Sequence, residues 1–101
     1  MQHKFNSVQD LGLVIRATRK ANDLRLDDTA SGCQVGPVFL REVERGKDTV
    51  QFGRVLQVLN ALGLQLSVTV TEAALVEYEK LKKTGLKPLP KRSRQPTKPA
   101  A

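Results

Sequence analysis

Gln34-Val35-Gly36-Pro37-Val38-Phe39-Leu40-Arg41-Glu42-Val43-Glu44-Arg45-Gly46 carries the start and stop signals of one short helix. Proline at the first helical position gives up an N–H that would have no intrahelical partner, and its φ is already helical. Gly36 therefore reads as the N-cap and Pro37 as the first residue. Gly46 is the residue type that most easily turns left-handed to close a helix, so the segment runs from Pro37 to Arg45. Upstream, Ser7-Val8-Gln9-Asp10 reads as another start, with Ser7 as cap and Asp10 in the first turn. Val8, Leu11, Val14, Ile15 and Thr18 then recur at helical spacing, with Arg16, Arg19 and Lys20 expected on the wetter side and Asn22-Asp23 at the end. Between these two lies Leu24 to Cys33, a weak helix weighted with Thr29, Ser31 and Gly32.

Downstream, Lys47 and Asp48 form a loop and Thr49 is expected to cap a further helix. Its stripe is Phe52, Val55, Leu56, Leu59 and Leu62, closed by Gly63. The period then changes from helical to two. Leu64-Gln65-Leu66-Ser67-Val68-Thr69-Val70 alternates strictly, as a half-buried strand does. No second strand is readable, so the simplest mate is the same strand of a second copy, with Leu64, Leu66, Val68 and Val70 as the dimerisation face. Glu72 to Lys83 is helical again, with Ala74, Leu75, Tyr78 and Leu81 on one side, and Thr84-Gly85 ends it.

At 101 residues the chain has room for one small domain, and its four aromatic residues, Phe5, Phe39, Phe52 and Tyr78, leave the core aliphatic. The net charge is +7, but Lys87, Lys91, Arg92, Arg94 and Lys98 place 5 of it in the last sixteen residues, leaving 7 − 5 = +2 for the rest. That tail also holds four of the five prolines and is expected to be disordered. The expected organisation is 1–70 for folding and dimerisation, 71–85 for an appended helix and 86–101 for the basic tail. No apolar run is long enough to cross a bilayer, and the polar opening Met1–Phe5 argues against a secretory signal. One cysteine, Cys33, and one histidine, His3, supply neither a disulfide nor a soft metal site. With no nucleophile–base pair and no glycine-rich phosphate loop, neither an enzyme nor a cofactor is expected.

Successive short helices with a tight turn between the second and third make a helix-turn-helix. Leu11 to Gly63 resembles the Cro/repressor-type (Xre-type) DNA-binding family. Leu40-Arg41-Glu42-Val43-Glu44-Arg45-Gly46 is similar to the close of that family's recognition helix, Thr49…Leu56…Leu59-Asn60-Ala61-Leu62-Gly63 to the helix after it, and Ile15-Arg16…Arg19 to its first helix. Among its members the HipB-like antitoxins fit best, since they append a strand where Leu64–Val70 stands. The implied fold is mainly α: a lambda-repressor-like four-helix domain with one C-terminal strand pairing across a dimer, plus a further helix. Two departures stand out. The family's Thr-Gln opening of the second helix is replaced by Arg25-Leu26, and the front of the recognition helix is an apolar nose, Gly36 to Phe39.

The resemblance implies a DNA-contact set of Arg25, Leu26, Gly36, Pro37, Val38, Phe39, Arg41, Glu42, Arg45 and Lys47. Arg41 would reach guanine or a phosphate, its bland alternative being an ion pair with Glu44 or Asp48. Lys47, Arg45 and Arg25 would hold phosphates, and the nose would meet thymine methyl groups. Phe39 has core packing as its rival role. Glu44 reads as structural, bonded to a helix end or to an arginine such as Arg16, and Cys33 as a small buried apolar residue. The implied activity is a cytoplasmic, nucleoid-associated bacterial repressor that binds palindromic double-stranded operator DNA as a homodimer and holds a HipA-like kinase toxin, with no membrane partner. The alternatives are a stand-alone repressor without a toxin, and an interaction module that has lost base reading and only sequesters a partner.

Overall fold

Ser7 opens the first helix through its side chain: the hydroxyl accepts from the Asp10 N–H at 3.0 Å, and α1 runs Val8–Ala21. Asp10 sits in the first turn and Arg19 and Lys20 in the last, each facing the helix end of opposite partial charge. This is a computed structural model that describes residues 1–85; the expected disordered tail, 86–101, lies outside the described residues. α2 spans Leu26–Gly32 behind Arg25, which makes no side-chain cap bond. α3 spans Pro37–Glu44 behind Gly36, and Gly46 closes it at φ +83°. α4 covers Phe52–Ala61 and α5 covers Glu72–Thr84.

The core is aliphatic. Ile15 from α1, Ala30 from α2, Cys33 and Val35 from the turn, Leu40 and Val43 from α3, and Val55, Val58 and Leu59 from α4 form one buried cluster. Both α1 and α2 pack on α3. Burial pushes the Cys33 thiol pKa above its ordinary value, as desolvation does to any group that ionises to an anion. Thr29 is buried as well, and its hydroxyl is satisfied by donating to the Arg25 carbonyl at 2.8 Å.

Three expectations need correction. Arg19 is not on the wetter side of α1 but buried. Thr49 does not cap α4; it lies in a turn, Gln51 takes the cap position, and Val50 is drawn against the core from that turn. The α4 stripe is also rotated. Val58 is fully buried, whereas Phe52 and Leu56 remain 59% and 42% exposed.

Leu64 to Val70 carries no strand in one chain. A ladder needs a second strand, and none exists among the described residues. Leu64 is half-buried against the core, its N–H donating to the Leu59 carbonyl at 2.8 Å, while Leu66, Val68 and Val70 are exposed. The chain divides into a compact unit, Met1–Leu66, and a second unit beginning at Ser67 that carries α5. Thr71 caps α5 by accepting from the Ala74 N–H at 3.1 Å, and none of that helix's residues is buried. No described helix is long and apolar enough to cross a membrane.

Candidate nucleic-acid interface

The inner side of α3 is held by a bidentate ion pair. Arg19 Nε and Nη2 donate to the two carboxylate oxygens of Glu44 at 2.7 and 2.9 Å, and Nη1 donates to the Leu24 carbonyl at 2.9 Å. The side chains are 11% and 4% exposed, so this is a buried pair in which each guanidinium nitrogen donates one bond. The hydrogen bonds that Arg19 donates to Glu44 raise its pKa further, outweighing the opposing effect of burial. Glu44 is thus structural, as the sequence implied, but its partner is Arg19 rather than Arg16. The signal was present: Arg19 follows Ile15 by one helical turn and shares its face.

Glycine sets the distance between α1 and α3. A Cβ on Gly12 would run into the carbonyl oxygens of Val43 and Glu44, the latter at 2.8 Å. Gly46 faces α1 in the same way, where a Cβ would lie 2.6 Å from the Gln9 side chain, and Gln9 Nε2 donates to the Gly46 carbonyl at 3.3 Å. Gly12 escaped the sequence reading, although a lone glycine inside a helical stripe marks a close approach.

The α2–α3 turn passes through Gln34 at φ +61°, a left-handed position without glycine. Gln57 on α4 ties it down, its amide donating to the Cys33 carbonyl at 2.9 Å and reaching the Gln34 carbonyl at 3.4 Å. Anchored from behind, α3 presents its other side outward. Val38, Arg41 and Arg45 are exposed at positions one helical turn apart, with Gly36 and Pro37 exposed ahead of them. Arg41 pairs with neither Glu44, which belongs to Arg19, nor Asp48.

The remaining candidates are placed less uniformly. Glu42 is half-buried and engages exposed Lys47 at 3.3 Å, so these two partly neutralise each other. Phe39 and Leu26 are half-buried and pack against the core. Arg25 is exposed at the head of α2, directly before the exposed acids Asp27 and Asp28. Those acids suit the helix dipole, but they oppose an anion docking at Arg25.

No protein-family model matches the chain. It is 38% identical, over 68 residues, to an uncharacterised helix-turn-helix-type transcriptional regulator of Sinorhizobium fredii, covering 67% of this chain and 90% of that protein. Among solved structures, a chain of a HipA–HipB–O2–O3 complex superposes with TM-score 0.63 at 17% identity, covering 70% of this chain and all of its own length. A HipB–O4 20mer complex gives the same TM-score at 15% identity and the same 70% coverage, again across 100% of that chain. Both likenesses establish a HipB-like fold. The clp gene regulator ClgR of C. glutamicum matches over 83% of this chain and all of its own, at 26% identity and TM-score 0.52.

Proposed function

The chain belongs to the helix-turn-helix transcriptional regulators, and on that premise we propose that it is a sequence-specific repressor that docks α3 into the major groove of operator DNA. The observation that carries this reading is the two-sided environment of α3. One side is fixed by Leu40, Val43 and the Arg19–Glu44 pair, and the other offers Val38, Arg41 and Arg45 to solvent. Arg41, one turn into the helix, reads guanine through its O6 and N7 acceptors. Arg45, Lys47 and, less strongly beside its acids, Arg25 hold phosphates, while Gly36, Pro37 and Val38 meet the base edges. Phe39 and Leu26 shape the helix positions from beneath. Glu42 holds Lys47 in the free protein and yields it to the phosphate backbone on binding.

The repressor acts as a dimer, paired through Leu64, Leu66, Val68 and Val70. Supporting this are the exposed side chains of Leu66, Val68 and Val70 and a shallow groove of about 620 Å³ in which Leu56, Leu59, Leu64 and Leu66 alternate with the polar Gln57, Asn60 and Gln65, a mixed surface that a second copy could cover. Two such copies set their recognition helices roughly 34 Å apart, on successive major grooves of a palindromic site. Ser67→Pro removes a ladder donor and should shift the light-scattering mass toward monomer; a variant that stays dimeric excludes the strand as the interface.

The second partner is a HipA-like kinase toxin, so that the chain serves as an antitoxin. The HipB-like fold and an exposed α5 bearing Leu75, Tyr78 and Leu81 favour a protein partner. A kinase co-purifying from the native cell supports this role, and its absence leaves a stand-alone repressor. The apolar nose and the Glu42–Lys47 pair also favour a second reading, an interaction module without base reading. A salt titration of binding to selected and random DNA separates the two. Under the repressor reading Lys47→Ala weakens all sequences alike and flattens the salt slope by about one unit. Under the module reading selected DNA binds no better than random.

A further inference from the structure

We infer that the Gly36-Pro37-Val38 nose of α3 reads the 5-methyl group of a pyrimidine, so that each half-site requires a thymine for its methyl rather than for its hydrogen-bonding edge. The inference rests on the DNA reading proposed above. Val38 is 61% exposed, although it is apolar and β-branched, and neither helix propensity nor the core accounts for it there. Nothing inside the chain requires glycine at position 36 either. Its φ of −76° suits any residue, a Cβ there would meet no atom within 4 Å, and it makes no side-chain cap bond. A missing side chain at the tip of the helix lets an outside surface approach the backbone closely.

The chemistry of the nose narrows what that surface is. Neither Pro37 nor Val38 has a polar side-chain atom, so their side chains cannot match any donor or acceptor pattern. In the major groove the one apolar feature that distinguishes base pairs is the methyl on C5 of thymine, shared only by 5-methylated cytosine. Arg41 lies one turn along the same side of α3, an axial rise of about 4.5 Å, close to one base-pair step. The methyl-bearing pyrimidine and the guanine read by Arg41 therefore lie one to two steps apart in each half-site.

The test uses the full chain and an operator enriched from a random duplex library. Each thymine is replaced singly by deoxyuridine, which removes the methyl and leaves every hydrogen-bonding group. One position per half-site should lose about fourfold in affinity, the transfer effect of one methyl-sized group. Val38→Ser should bind the thymine and uracil versions equally, whereas Val38→Thr, which keeps a methyl, should retain the preference. Val38 is exposed, so both variants should melt with the parent, and melting curves check this. Indifference to uracil at every position, or an undiminished preference in Val38→Ser, overturns methyl reading while leaving operator binding intact. A library that yields no enriched sequence overturns the DNA reading itself.

Discussion

α3 and α5 are both short helices with apolar residues along one side, yet they are made in opposite ways. α5 has a serviceable side-chain cap in Thr71, an acid in its first turn and lysines in its last, and its thirteen residues include good helix formers, but none of them is buried. α3 has eight residues rich in proline, valine and phenylalanine and no side-chain cap bond, yet Leu40, Val43 and Glu44 are buried. Local propensity suffices to draw α5; tertiary contact holds α3. The helix proposed to meet DNA is therefore the one whose position depends most on the rest of the fold.

The largest test of that contrast is Glu44→Ala. It strands the Arg19 guanidinium in the interior, and removing one member of a buried pair costs about 3–5 kcal/mol. Against the ~5–15 kcal/mol total of a small domain, that should bring denaturant-induced unfolding close to native conditions. Replacing both partners by apolar residues, Arg19→Met with Glu44→Leu, should recover much of the loss. Because the Arg19 pKa is raised in the fold, its contribution is fully present below the unfolded-state value and fades only as pH rises through the still higher folded one. A stability profile across neutral pH should show no step from this group.

Gly12→Ala comes next, with an expected loss of about 1–3 kcal/mol as the new methyl pushes α1 off the α3 carbonyls. Thermal unfolding followed by circular dichroism measures it, and an unchanged midpoint would mean the two helices are not in close contact. Gln34→Gly has the opposite sign. It relieves a left-handed residue at φ +61° and should stabilise by up to about 1 kcal/mol, less the entropy that glycine adds to the unfolded chain. The smallest effect belongs to α5. Leu75→Ser and Tyr78→Ser alter exposed side chains and should change the stability of the Met1–Leu66 unit by less than about 0.5 kcal/mol. A larger loss would show α5 to be part of the core after all.

Legibility in the sequence followed the same division. Ser7, Gly36-Pro37 and Gly46 act within a few residues of themselves, and each helix boundary they mark agrees with the structure to within a residue, as does the start expected at Glu72. Thr49 failed as a cap because Val50 is drawn against the core, a long-range demand that no local pattern reveals. The apolar residues of α4 are spread so broadly that periodicity could not choose between the flank with Phe52 and Leu56 and the flank with Val58; packing against Ile15 and Leu40 decided it. The charge of Arg19 points it to water, although its spacing from Ile15 places it inside, and its partner Glu44 makes that position tolerable. The outward residues Val38, Arg41 and Arg45 were legible from the register of the motif. Asp27 and Asp28 stand beside Arg25 in the sequence itself, whereas the contact of Lys47 with Glu42 emerged only with the fold.

The central claim is that the exposed side of α3 reads bases. Its most direct test is the affinity of Arg41→Ala for an enriched operator and for random DNA of the same length, at one salt concentration. The account predicts a loss of about 1–3 kcal/mol on the operator, relaxed preference at a single guanine, and little change on random DNA. An equal loss on both, or no loss on the operator, would contradict it.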